Sequence, residues 1–231
     1  MDTIHFWRTI SFGETINLDI LEILKKVSGT NFDNFETDLK NLFSIVNSET
    51  KLNQNYLEML CEIQAIEMKK FRLRDVERTI EKVFREDIRL SAEREKLLLM
   101  DHKSLNNIRF ILNPMVEIYE SFWEWTVKES RQKSFNLENV LKEGKGDYYF
   151  LFERTGVYDQ WLDTNVFEYP LTQYQYFLLQ LFGEEREIQS VTNEFIETFD
   201  TFTLEEEQEL LILTRRLIKE HIFKKHIIRK Y

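Results

Sequence analysis

The chain has 231 residues, of which 42% are hydrophobic and 14% aromatic, enough to bury a core and too apolar to remain disordered. Its net charge is −10, with 16 acidic against 9 basic residues from Asp147 onward (net −7) and only −3 over the first 146. This balance argues against a general polyanion binder, whose phosphate contacts need clustered Lys and Arg, and the single Cys61 excludes an intramolecular disulfide framework.

Two prolines and six glycines leave little punctuation and favour long helices. No apolar run approaches the ~20 residues that span a bilayer. The opening "MDTIHFWRTISFGE" lacks a basic segment followed by an apolar one, so a soluble cytoplasmic protein with no membrane partner is expected.

Apolar residues at 16, 20, 21, 24 and 27 make a first helical stripe, and Phe35, Leu39, Leu42, Phe43 and Val46 a second. Tyr56, Leu57, Leu60, Cys61 and Ile63 belong to a third, within 52–69. Leu73, Val76, Ile80, Val83 and Phe84 continue helically on a charged background. Ser104 reads as the N-cap of a long helix with apolar residues at 105, 108, 112, 115, 119 and 122, kinked or broken at Pro114. Together these segments predict an antiparallel helical bundle over residues 1–143.

"LKEGKGD" then changes the texture, and residues 144–231 form a second predicted domain. "YYFLFE" and "VYDQWL" alternate with period two around Thr155 and Gly156, a hairpin signal, and "NVFEY" is a third extended piece ending at Pro170. Helical signals follow. Thr172 and Gln175 form a capping box with Leu171 and Tyr176 at the staple positions, and that helix should stop near Gly183. A second helix carries Ile188, Val191, Phe195 and Phe199. A third opens with the capping box of Thr203 and Glu206. The predicted fold is thus mostly α: a helical bundle followed by a winged-helix-like module, a three-stranded antiparallel β unit and three helices.

Catalytic chemistry is hard to find. None of the four histidines follows a Glu by three, no His-Glu-x-x-His motif occurs, and His221 and His226, five apart, fall off one helical face. They read as structural or surface residues. Cys61, on an apolar stripe, reads as a buried inert thiol. Glycine-rich phosphate loops are absent, and acidic pairs such as Glu117 with Glu120 read as solvated surface. The expectation is no catalytic residue, no metal ligand and no cofactor in this chain.

Three features point to partners. In "SFWEWTV", Phe122, Trp123 and Trp125 cannot all face one side of a helix, so they are either core between subdomains or a partner interface. From Arg215 onward seven basic residues stand against Glu220. They either complement the negative end of a terminal helix or meet an anionic partner. The segment "EREIQSVTNEFIETF" carries four glutamates and one arginine, a poor surface for phosphate, which makes nucleic acid an unlikely partner and a winged-helix DNA-binding regulator the alternative reading.

The span "DYYFLFERTGVYDQWLD", "EYPLTQYQYFLLQLFGEEREIQSVTNEFIETFDTF" and "LILTRRLIKEHI" resembles the peptide-chaperone modules of ribosomal-peptide maturation, of which that of pyrroloquinoline quinone synthesis is the prototype. The resemblance implies that a leader peptide pairs with the third strand, here Val166, Phe167, Glu168 and Tyr169, with Arg215 and Lys219 facing the groove. Phe167 is expected to offer a backbone donor to the peptide.

A helical first half feeding these motifs is also similar to non-catalytic partner subunits of iron-dependent TIM-barrel enzymes, as in methanobactin biosynthesis. That likeness implies iron in the partner subunit, oxidation of peptide cysteines to oxazolone and thioamide groups there, and leader binding here. A helical scaffold or interaction protein is the third alternative.

Overall fold

A computed structural model describes residues 7–19, 22–23, 35–49, 52–75, 80–125, 137–154, 166–199 and 203–229. Among the described residues the chain is mostly helical, with nine helices and six strands. The helices are α1 (Trp7–Thr15), α2 (Phe35–Glu49), α3 (Gln54–Asp75), α4 (Ile80–Leu99), α5 (His102–Asn106), α6 (Leu137–Glu143), α7 (Gln173–Gln180), α8 (Ile188–Glu197) and α9 (Leu204–Phe223). The strands are β1 (Arg109–Leu112), β2 (Val116–Ser121), β3 (Tyr148–Arg154), β4 (Val166–Leu171), β5 (Arg186–Glu187) and β6 (Ile227–Ile228). They form two three-stranded sheets, ordered β5-β1-β6 and β2-β3-β4.

The chain divides into two compact units, each built from two segments: Met1–Arg72 with Glu120–Tyr148, and Leu73–Tyr119 with Tyr149–Tyr231. The single boundary drawn from sequence at residues 143 and 144 differs from this. The physical reason lies in α4 and β1: α4 packs on α9, and β1 is the central strand between β5 and β6.

In the first unit α2 buries Leu42, Phe43 and Val46 of its predicted stripe, whereas α3 buries only Leu60 and Ile63 of its own, together with Met59 and Ile66. Cys61 departs from expectation: it points outward from α3 and is exposed. The helix α1 precedes the predicted start at residue 16. It ends where Asn17 takes φ 56°, a left-handed conformation that stops helix propagation. Most of the stripe at 16–27 lies outside the described residues. Phe12 of α1 is fully buried and meets Tyr56 edge to face at 6.0 Å.

The long helix predicted from Ser104 does not form. Asp101, not Ser104, is the N-cap, accepting from the Ser104 backbone N–H at 2.9 Å, and α5 ends at Asn106. Arg109–Leu112 and Val116–Ser121 are strands because "RFIL" and "VEIYES" flank the Asn113-Pro114 turn, where proline breaks one extended run from the next. Asn113 shapes the turn by accepting from the Met115 N–H at 3.0 Å, an Asx turn.

The second unit has a contiguous core including Phe110, Leu151, Leu179, Phe182, Phe195 and Ile218. Both predicted capping boxes are present, Thr172 with Gln175 on α7 and Thr203 with Glu206 on α9. Strand β3 is buried on both faces and pairs antiparallel with β4, Glu153 opposite Phe167 and Leu151 opposite Tyr169. The predicted hairpin turn at Thr155-Gly156 and its second arm, 157–162, lie outside the described residues. The third strand of this sheet is β2, from a segment read as helix.

Candidate functional site

Among the described residues the sheet order leaves β4 as the outer strand, and its polarity follows from one hydrogen bond. The Arg154 N–H donates to the Met115 carbonyl at 2.9 Å, on the β2 side of β3. In an antiparallel strand the N–H and C=O of one residue face the same way, and successive residues alternate. Glu153, Leu151 and Tyr149 therefore face β4 and exchange hydrogen bonds with Phe167, Tyr169 and Leu171. Val166, Glu168 and Pro170 turn their backbone groups to the outer side of β4. Pro170, which has no N–H to give a ladder, sits at such a position.

This parity corrects the sequence expectation: the Phe167 N–H points into the β3–β4 ladder, and Val166 and Glu168 carry the outward groups. The side chains of Phe167 and Tyr169 remain large exposed apolar surfaces, 42% and 41% accessible. Burial, and then the nearby Glu153 charge, raise the pKa of the Tyr169 phenol above its usual value. Arg215 and Lys219 are half-buried and share a face of α9, being four apart. The principal packing takes β4 to β3 and α7, and α9 to α4, α8 and β6, so the described contacts do not set these two cations on β4.

The three aromatics singled out in "SFWEW" separate. They lie at the end of β2 and in the segment after it, not on a helix. Phe122 is 62% exposed, whereas Trp123 and Trp125 are buried, so only Phe122 presents a surface to a partner. No local sequence signal marks what holds this segment. Glu62 of α3, itself buried, accepts from the Ser121 hydroxyl, from the Phe122 N–H at 2.8 Å and from the Trp125 indole N–H at 2.9 Å. Lys145 lies over the Trp123 ring at 5.7 Å and pairs with Glu58, whose pKa it lowers by hydrogen bonding.

Sequence reading also missed a histidine pair. Helix α9 ends at Phe223, and Lys225 takes φ 60° in the left-handed region where glycine is the usual residue. The Lys225 N–H bonds the Ile222 carbonyl at 3.1 Å and the His226 N–H bonds the His221 carbonyl at 2.9 Å, the two bonds of a left-handed helix C-cap. Such caps bring together the side chains of the third-last helical position and the second residue beyond the cap, normally as an apolar contact. Here those residues are His221 and His226, both buried, with Nδ1 atoms 2.9 Å apart.

Asn113 fastens the reversal. Its N–H donates to the His226 carbonyl and its side-chain amide to the Lys225 carbonyl, both at 2.8 Å. On the far side the His226 Nε2 stands 3.9 Å from Glu153. Burial, and secondly the adjacent His226, lower the pKa of His221 to about 3, so its ring is neutral at physiological pH.

Among the described residues no group of three or more His, Cys, Asp or Glu side chains is placed to hold a metal ion, and no helix is long and apolar enough to cross a membrane. Compared with known proteins, the chain matches no family model and no curated protein.

Proposed function

We propose that this chain is a non-catalytic partner subunit that binds the leader of a ribosomally made precursor peptide by adding it as a strand to β4. It would support an iron-dependent TIM-barrel oxidase that converts peptide cysteines to oxazolone and thioamide groups, with the iron held by that enzyme and the complex in the cytoplasm. The observation that carries the reading is the position of β4: among the described residues it is the outer strand of its sheet, and the Val166 backbone groups and the Pro170 carbonyl face away from β3. Backbone pairing at a sheet edge supplies affinity, and side chains beside the edge supply selectivity. Phe167 and Tyr169 offer the aromatic surface for the second role.

The element order α7-β5-α8-α9-β6, with β1 completing the β5-β1-β6 sheet, supports a winged-helix-like module. In this reading α1 to α3 are the helical bundle, and Phe122 belongs to the enzyme-facing surface. The same order suits a DNA-binding regulator, but Glu205, Glu206 and Glu207 in the first turn of α9 repel phosphate. Binding that weakens steeply with salt would favour the regulator, and binding that barely responds would favour the peptide.

Tagging the chain in its own host tests the proposal. Mass spectrometry and an iron assay of the purified fraction should find an iron-bearing TIM-barrel protein near one-to-one, with a short ribosomal peptide. Recovery of the chain alone and iron-free counts against it.

A further inference from the structure

The contact between His221 and His226 fixes where their protons sit. One Nδ1 must donate and the other accept across 2.9 Å, since two N–H groups cannot face each other at that distance. His226 turns its Nε2 towards the Glu153 carboxylate, which selects the Nε2–H tautomer and leaves its Nδ1 as the acceptor. His221 is then the Nδ1–H tautomer. Its Nε2 is a bare lone pair, consistent with that atom being buried without a hydrogen-bond partner. In this state the contact between the two Nδ1 atoms is satisfied, and the His226 Nε2–H faces the Glu153 carboxylate charge.

An added proton has no comparable place. It must go to the His221 Nε2, making a buried donor with no acceptor, or to the His226 Nδ1, setting two N–H groups against each other. Of the surrounding charges, Glu153 on β3 and Glu220 on α9 favour the extra proton, and Lys224 on α9 opposes it. Tyr169 of β4 lies within the field of Glu153. Lys225 and Arg229 flank the pair in sequence, and Glu93 and Arg94 come from α4, which packs on α9. The Glu153 carboxylate is 3.9 Å away and partly exposed, too far for a hydrogen bond and open to solvent screening. The surrounding charge therefore does not outweigh the missing acceptor.

We propose that His221 and His226 form a proton-sensitive latch at the end of α9. The neutral pair holds the reversed chain and β6 in place, and proton uptake opens them. Four segments meet at the latch: the end of α9, β6 beyond it, the Asn113 turn between β1 and β2, and Glu153 of β3. Opening frees the Lys225 and His226 carbonyls from Asn113 and releases Ile227 and Ile228 from β1. Because Glu153 is the β3 partner of Phe167, the latch also abuts the strand pair carrying the peptide edge. That last consequence rests on the peptide-binding reading, whereas the latch does not.

The test uses the full chain without peptide. Imidazole 15N spectra at pH 7.5 should show Nδ1–H at His221 and Nε2–H at His226. Hydrogen exchange at Ile227 and Ile228, corrected for intrinsic rates, should show an opening constant rising at least tenfold per pH unit well below 6.5, the signature of one or more protons bound on opening. The double variant His221→Leu/His226→Leu, which restores the usual apolar contact of such a cap, should show a flat opening constant over the same range. An unchanged slope in that variant would overturn the latch. Should the variant fail to fold, the wild-type spectra decide alone: a closed pair carrying the extra proton at pH 5 overturns it, and ring protonation in step with opening sustains it.

Discussion

Glu62 is a carboxylate withdrawn from water that survives because three donors converge on it, from Ser121, Phe122 and Trp125. Removing it strands a buried indole N–H and a backbone N–H, so Glu62→Ala should cost about 3 kcal/mol in urea unfolding, and a cost below about 1 kcal/mol would show that water replaces the carboxylate. His221 acts in the opposite sense, being kept neutral. Its folded pKa of about 3 lies below the unfolded value of 6.5, so the unfolded chain takes up the proton first. The stability it contributes is present above pH 6.5 and is lost as pH falls towards 3, at up to about 1.4 kcal/mol per pH unit. Thermal melts at pH 7.5 and 5.5 measure that slope, and His221→Leu/His226→Leu should flatten it. None of this was visible in the sequence. A carboxylate among 41 acids carries no mark of burial, and residues five apart lie on different faces of any helix that continues.

At the scale of elements, legibility followed local chemistry. The two capping boxes were readable because the side chains that satisfy the first N–H groups of α7 and α9 lie three residues apart in sequence. Thr203→Ala should remove about 1 kcal/mol from α9, seen as a lower urea midpoint. The apolar residues of β1 and β2 also fit a helical spacing, and Pro114, which reads as a kink or break in such a helix, separates two strands. The end of α9 was hidden because Lys225 occupies the left-handed position that glycine would have announced. Lys225→Gly should relieve that backbone and stabilise the fold by about 0.5–1 kcal/mol, and a loss of stability would mean that the lysine side chain contributes more than its backbone costs. In β4 the alternation was legible, but which residues face outward depended on the β2 neighbour of β3, a long-range contact no local pattern encodes.

For the whole molecule, the units are built from segments that alternate along the chain, with α4 and β1 in the second, whereas sequence proximity places both before the boundary at residues 143 and 144. Composition correctly favoured a mostly helical chain. The central claim is that β4 takes a peptide strand through its outward backbone groups, and a proline scan of that strand addresses it directly. The precursor peptide recovered by co-purification would be titrated calorimetrically into wild type, Val166→Ala and Val166→Pro, with circular dichroism establishing that each is folded. Val166→Pro removes an outward donor from an edge position that tolerates proline, and Val166→Ala controls for the lost side chain. Val166→Pro should lose about tenfold or more in affinity, the equivalent of one backbone hydrogen bond, with Val166→Ala near wild type. Equal affinity in all three proteins would contradict strand addition at β4.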